Sequence, residues 1–379
     1  MKKVLILASV ASMIDQFNMP NIELLQSMGY SVDVACNFRE GNTCSEEEIR
    51  TLLERLWQKR VGCYQIDFAR DVTELARNVK ALWQVEHLLQ KNDYAFLHCH
   101  SPIGGVVGRI AGKLIGTRVI YTAHGFHFYK GAPVRNWLIY YPIEKLCSYC
   151  TDVLITINQE DYKIARERMK AKRVEYLPGV GVNLARFDRE AADRDAVRKK
   201  LGIPEGMTWV LSVGELIERK NQEAFIRAVA RTKGICLTIA GQGPLREHLL
   251  GLIDELGVTD RVRLLGFRTD ISELCAGADI FALPSFQEGL SMALMEAMSS
   301  AKPVVCSQIR GNTDLIDQGR GGFFFDPDSV ESMAASLNKI MNADLEAMGA
   351  YNRLKIRQFD LRTVLERERE IYSDISRME

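Results

Sequence analysis

The sequence predicts an α/β protein built from two doubly wound parallel sheets, and three observations carry that expectation. The chain has 379 residues, about twice the usual size of one domain. Short apolar runs alternate with helical patterns from start to finish. A polar, irregular stretch divides them into two series. The expected strands are 4–8, 31–36, 96–100, 118–122 and 153–156, then 209–213, 236–240, 262–264, 280–283 and 303–306. Each is a short apolar run, as a strand buried on both faces requires. Between them the spacing predicts helices over 21–28, 72–90, 104–114, 222–232 and 245–256. Such alternation gives parallel sheets with helices on both faces. The hinge falls within 178–206, around Pro178, Gly179, Gly181, Asn183 and the charged run 188–200. A charged helix over 361–372, with Asp360 as its N-cap, closes the chain.

Composition removes several classes. The chain has 49 basic and 49 acidic residues, so it lacks the excess of a general nucleic-acid binder, although a local basic patch stays open. A content of 47% hydrophobic and 26% charged residues argues against disorder, collagen and a disulfide scaffold. Nine cysteines, at 36, 44, 63, 99, 147, 150, 236, 275 and 306, show no framework spacing and read as reduced thiols of a cytosolic protein. Cys147 and Cys150 form a lone C-x-x-C with no second pair, which favours two helix thiols over zinc or redox chemistry. The start, MKKVLILASVASMIDQ, puts lysines before an apolar run, but Asp15 interrupts it and a buried strand fits better than a secretion leader. No apolar stretch approaches the ~18–20 residues that span a bilayer. The expected location is cytoplasmic, with contact to the cytoplasmic face of the membrane from the side.

Ligands of doubly wound sheets sit where strands run into helix N-termini. The densest such place is IFALPSFQEGLSMALMEAMSSAKPVV, residues 280–305. A strand ends at Leu283, and a helix is expected from Leu290. Glu288 then stands at its mouth and Glu296 about two turns along, which places both carboxylates on one side. Gly289 permits close backbone approach, and the Leu290 and Ser291 amides offer an anion site. Carboxylates beside an anion site suit hydroxyl groups, so a ligand with phosphates, a ribose and a sugar needs this mixture. The competing reading makes Glu288 a solvated loop acid and Glu296 a surface helix acid, and spacing alone leaves both open.

This run resembles the Glu-x7-Glu motif of retaining glycosyltransferases of family 4, which have the GT-B fold. SVGEL at 212–216 with Lys220, LTIAGQGPLREHL at 237–249, RVRLLGFRTDI at 261–271 and IRGNTDLI at 309–316 occur in that family's order. HCHSPIGGVVGRIAG at 98–112 and YTAHGFHFYKGAP at 121–133 are similar to members working on polysaccharides or lipid-linked saccharides. The resemblance implies two Rossmann-like domains facing each other across a cleft. Residues 1–185 would bind the acceptor and 186–356 the nucleotide sugar, with the helix over 357–379 packing back on the first. It implies that Glu296 binds the ribose and Glu288 the donor-sugar hydroxyls. Leu290 and Ser291 amides hold the diphosphate, beside Gly214 and Gly289, and Lys220 neutralises it. Phe267 and Arg268 meet the base, largely through backbone, and His124 lies near the donor sugar. One departure stands out: Glu215 occupies the position where many relatives have an arginine on the diphosphate. Arg219 is the candidate for the missing charge, against a reading of Arg219 and Lys220 as a solvated helix cap.

Other candidates are weaker. Gly241 and Gly243 in AGQGPL lack the third glycine of a dinucleotide fingerprint and read as turn chemistry. SVASMIDQFNMP after the first strand argues against an oxidoreductase. Ser12, Asp15 and Gln16 would line the acceptor side, with Asp15 either a general base or an N-cap or surface acid. His98 and His100 share a strand face and read as packed rather than ligating. Aromatic and basic residues over 126–141, and LLERLWQKR at 52–60, suit either a membrane interface or a packed helix.

The expectation is a metal-independent, retaining glycosyltransferase with no cofactor. It would move a sugar from a nucleotide sugar, UDP-linked more than GDP-linked, to a saccharide or polyprenyl-diphosphate-linked saccharide in capsule or exopolysaccharide synthesis. No Asp-x-Asp pair suggests a metal. Two alternatives stay open: another sugar-nucleotide enzyme such as an epimerase or sugar-phosphate synthase, and a non-catalytic nucleotide-sugar-binding partner. Residues 1–185 hold 23 basic and 19 acidic residues, a mildly basic half that suits diphosphate lipids.

Overall fold

A computed structural model describes residues 2–41, 45–69, 73–187 and 193–377. Cys44, the expected helix start at Val72 and residues 188–192 of the expected hinge lie outside the described residues. The chain divides into two compact units, Met1–Val180 with Arg362–Glu379, and Gly181–Leu361.

The first unit holds β1 (Lys3–Val10), β2 (Ser31–Asn37), β3 (Gly62–Gln65), β4 (Tyr94–His100), β5 (Val119–Ala123), β6 (Val153–Thr156) and β7 (Arg173–Tyr176). They form one sheet in the order β3-β2-β1-β4-β5-β6-β7, with every neighbour parallel. Alternation along β1 serves two cores. Val4, Ile6 and Ala8 pack with Val32, Val34 and Phe96 on one face. Leu5 and Leu7 pack with Ala35, Leu97 and Cys99 on the other. The helix Leu361–Ile375 belongs to the first face and buries Val364, Ile371, Tyr372 and Ile375 there. Tyr372 stacks on Phe96 with ring centroids 5.6 Å apart.

The second unit holds β8 (Thr208–Val213), β9 (Ile235–Ala240), β10 (Val262–Gly266), β11 (Ile280–Leu283), β12 (Val304–Ser307) and β13 (Gly322–Phe325). Their order is β10-β9-β8-β11-β12-β13, again all parallel. In both sheets the chain starts in the middle, winds to one edge, returns and winds to the other, which makes each unit Rossmann-like. The ten expected strands are present. β3, β7 and β13 were not expected, and all three are edge strands of four residues with half-exposed faces.

The helix Pro102–Ile115 lies unusually close to the first sheet because glycines face it. A Cβ on Gly108 would sit 2.3 Å from the Cys99 sulfur and 2.8 Å from Leu7 Cδ2. Both neighbours are fully buried, so neither can move into solvent. Gly108→Ala is therefore expected to destabilise the protein by about 1–3 kcal/mol despite alanine's better helix propensity. Denaturant unfolding of the two proteins measures this.

Candidate active site

The loops after β8, β9 and β11 build the site in the second unit. The loops after β8 and β9 are interlocked through their backbones. A Cβ on Gly241 would stand 1.9 Å from the Gly214 carbonyl oxygen, so only glycine fits there. The Gly214 amide donates to Ala240 O at 3.0 Å, and the Leu216 amide to Gln242 O at 3.0 Å. AGQG is thus a turn that holds SVGEL in place.

Three bonds tie residues 219 and 221 to the loop after β11, and a fourth ties Asn221 to Pro327. The Phe286 amide donates to Arg219 O at 2.9 Å. Asn221, in a left-handed conformation at φ 54°, donates from Nδ2 to Pro284 O at 3.2 Å and Pro327 O at 2.8 Å. Arg219 Nη1 donates to Gln287 O at 3.0 Å. These bonds bring together side chains 68 residues apart: Lys220 Nζ lies 2.7 Å from Glu288 Oε1. Arg219 Nη1 stands 3.9 Å from the other carboxylate oxygen. Glu288 is buried, and Arg310, also buried, donates from Nε to its carbonyl at 3.2 Å. Glu288 and Lys220 are therefore neither a solvated loop acid nor a solvated cap.

The helix after this loop starts later than expected, at Met292–Ser299 rather than from Leu290. Ser291 is its N-cap, and its Oγ accepts from the Leu294 amide at 3.3 Å. Glu288 is consequently not helical, and helical spacing does not relate its carboxylate to that of Glu296. Gly289 to Ser291 form a bend in which, among the described residues, neither the Leu290 nor the Ser291 amide has an acceptor. Two N–H groups there can receive an anion. Glu296 is half-buried, and burial pushes its carboxyl up to about 7 against the pull of Arg186.

Glu215 is exposed, and no ion pair engages it among the described residues. Its own carbonyl accepts from Gln222 Nε2 at 2.7 Å. Phe267 stands exposed just after β10, while Arg268 folds onto Asp270 with Nε 2.7 Å from Oδ1. Among the described residues no cluster of three His, Cys, Asp or Glu side chains is arranged to hold a metal ion.

In the first unit, His124 follows β5 and is half-buried beside Phe17, with rings 5.8 Å apart. Its Nε2 lies 3.1 Å from His100 Nδ1. Burial holds His124 down to about 4, so it is neutral near pH 7. His98 and His100 are packed as expected, with ring centroids 4.1 Å apart. Ser12 is buried and Gln16 exposed. Asp15 is neither an N-cap nor isolated: Arg55 Nη1 lies 2.6 Å from its Oδ1.

Residue spacing had not pointed to Arg310, Gly311 or Asn221. A Cβ on Gly311 would stand 2.3 Å from Gly289 O, so Arg310 and Gly311 buttress the Glu288–Gly289 backbone. For Arg310 and Gly311 the available signal was the R-G-N run shortly after a strand.

Comparison with known proteins gives the chain's family. Residues 193–355 match the model for glycosyl transferases group 1, and residues 3–158 that for glycosyl transferase 4-like domains. The chain is 32% identical over 383 residues to EpsD of Bacillus subtilis (strain 168), spanning 98% of this chain and 96% of that protein. It is 30% identical over 276 residues to the UDP-Gal:alpha-D-GlcNAc-diphosphoundecaprenol alpha-1,3-galactosyltransferase of Escherichia coli, spanning 70% of this chain and 71% of that enzyme. The structure is similar to sucrose-phosphate synthase from Thermosynechococcus elongatus, with a TM-score of 0.80 at 18% identity over 99% of each chain. It is also similar to Anabaena HepE in complex with UDP, with a TM-score of 0.77 at 19% identity over 99% of this chain and 100% of that one. Two doubly wound units, the loops at the ends of β8 and β11, and these matches agree: the chain belongs to the GT-B glycosyltransferases, with a glycosyl transferase 4-like first half and a group 1 second half.

Proposed function

We propose that this glycosyltransferase moves a sugar from a UDP-sugar to a polyprenyl-diphosphate-linked saccharide, with retention and without a metal, in surface polysaccharide synthesis. The carrying observation is the Lys220–Glu288 pair beside the unpartnered amides of Leu290 and Ser291. A cation and two N–H donors suit a diphosphate, and a carboxylate suits sugar hydroxyls. The Escherichia coli relative, named for a UDP-linked donor and a diphosphoundecaprenol-linked acceptor, supports both substrate classes.

In this reading the bond from the anomeric carbon to the diphosphate breaks while the acceptor oxygen bonds to the same face. The acceptor's proton passes to the departing diphosphate. Negative charge grows on that diphosphate, so Lys220, Arg219 and the two amides bind it more tightly in the transition state than in the ground state. Glu288 holds the donor sugar, and Glu296 accepts hydrogen bonds from the ribose. His124 is assigned to the donor sugar. Ser12, Asp15 and Gln16 are assigned to the acceptor, with Asp15 held by Arg55. A non-catalytic binding partner remains the second reading, favoured by Glu215 alone.

Peripheral membrane contact is part of the same proposal. No helix is long and apolar enough to cross a membrane, among the described residues. Phe126 and Phe128 are buried, whereas Val134, Leu138, Leu146 and Tyr149 stand exposed on or just after the helix Val134–Ser148. Lys145 and Arg135 flank that stripe, as an anionic surface favours. Flotation with anionic vesicles is expected to carry the protein at low salt, and its absence there removes this part.

Lys220→Ala and Glu288→Ala should each lower kcat by about 100-fold with the far-UV circular dichroism unchanged. Nucleotide release from a UDP-sugar panel, with and without lipid-linked acceptor, measures it. Wild-type rates in both variants discard the site. Full activity in Arg219→Ala removes the idea that Arg219 replaces the arginine lost at Glu215.

Glu296 gives a pH dependence with a defined sign. Its carboxyl sits at about 7, so it is protonated on the acid side and a better acceptor on the alkaline side. UDP affinity by calorimetry should rise as pH increases through 7, and this rise should vanish in Glu296→Gln.

A further inference from the structure

A chain of hydrogen bonds in the first unit runs from the last helix to His124. Glu368 and Tyr372 enter it from one turn of the helix Leu361–Ile375. Tyr372 is fully buried, and its hydroxyl meets His98 Nδ1 at 2.9 Å. A buried O–H needs an acceptor, so Tyr372 donates and His98 carries its hydrogen on Nε2. That hydrogen goes to Thr122 Oγ1 at 2.8 Å, which leaves the Thr122 hydroxyl free to donate onward. Beside this pair, His100 Nδ1 and His124 Nε2 share one hydrogen across 3.1 Å. The other nitrogen of His100, Nε2, is buried and has no partner among the described residues. His100 lines a cavity of about 10 Å³ whose walls also include Asn21, Thr122, His124 and Glu368. That space is about the size of one water.

Glu368 is buried, and its Oε1 accepts from Asn21 Nδ2 at 3.2 Å. The groups facing it are Tyr372 on its own helix, His98 and His100 on β4, His124 after β5, and Asn21 on the helix Met19–Ser27. None of them is a fixed cation. We propose that Glu368, as a neutral acid, acts through one water in this cavity to fix His124 in its Nδ1–H tautomer. The Glu368 O–H donates to the water, the water donates to His100 Nε2, and His100 Nδ1–H donates to His124 Nε2. The hydrogen of His124 is left on Nδ1, which has no protein partner among the described residues. Glu368 is then a positioning residue. Its catalytic consequence, a fixed N–H donor toward the donor sugar, rests on the role proposed for His124. The tautomer itself does not.

Ionising Glu368 reverses every bond in the relay. The water then donates to the carboxylate and accepts from His100 Nε2–H, and His124 keeps its hydrogen on Nε2. Burial pushes Glu368 up to about 8, and it holds His98 down to about 3 and His124 to about 4. Between these values Glu368 is the protonated member and the histidines are neutral.

The test is nitrogen-15 NMR of histidine in the full-length, ligand-free protein, with the His124 signals identified by their loss in His124→Asn. At pH 6.5 the wild type should show Nδ1–H on His124. Glu368→Gln, whose amide can still donate to the water, should retain it, and Glu368→Leu should lose it. In the wild type alone, raising the pH through about 8 should move the hydrogen to Nε2. Nε2–H in the wild type at pH 6.5 overturns the relay. So does an unchanged tautomer in folded Glu368→Leu, or one that stays constant in the wild type from about pH 6.5 to about 9.5. If Glu368→Leu fails to fold, the wild-type series decides alone. Turnover in Glu368→Leu should fall roughly 10-fold with KM little changed. A tautomer shift with full turnover supports the relay and removes His124 from the donor site instead.

Discussion

Parallel strand pairing is the constraint on which the rest of this molecule depends. A parallel neighbour cannot be reached by a tight turn, so each strand must be followed by a crossover, usually a helix. Helices then cover both faces, which is why Val4 to Leu7 are all apolar and why alternate residues of β1 serve different cores. The same pairing gathers every strand's carboxyl end along one edge of its sheet. Residues 214, 241, 267 and 284–291 are far apart in sequence, yet each follows a strand of the second sheet. Backbone bonds between adjacent loops do the final positioning.

Charge is arranged economically within that frame. Lys220 and Glu288 satisfy each other, and the buried carboxylate is not left alone, a state that would cost several kcal/mol. A diphosphate bound as proposed would bring more negative charge than Glu288 and could share the lysine with it. Arg219 and Arg310 stand nearby, one toward solvent and one buried, so the cationic side of the site is not limited to one residue. Glu215 would be tolerated beside such a ligand because it is exposed to water.

Most of the fold was legible because interior strands are short, apolar and bounded by turn residues. GCYQ and RVEY were not, because an edge strand is half-solvated and need not be uniformly apolar. The helix Glu46–Gln58 carried a readable sign in Ser45 and Glu48, which form a reciprocal capping box. In the site, Glu288 to Ser291 could be found because they form one contiguous run. Their junction with Lys220 could not, since it rests on bonds from Asn221 and Arg219 that only the folded backbone creates. The helix start moved from Leu290 to Met292 because the Ser291 hydroxyl caps it, a choice spacing alone does not make. Glu368 was invisible for a different reason: it lies 347 residues from its partner Asn21.

That separation bears on how the molecule is made. The face of the first sheet that carries Phe96 and His98 is closed by Tyr372, and Tyr30 shares a hydrogen bond with Ser376 at 2.6 Å. During synthesis the first unit's strands emerge early, yet this face stays open until residues 361–375 have left the ribosome. The second unit, whose strands span 208–325, is complete before the first. The nascent chain therefore leaves Phe96 and His98 without their last covering helix until translation is nearly complete, and such transient exposure favours aggregation.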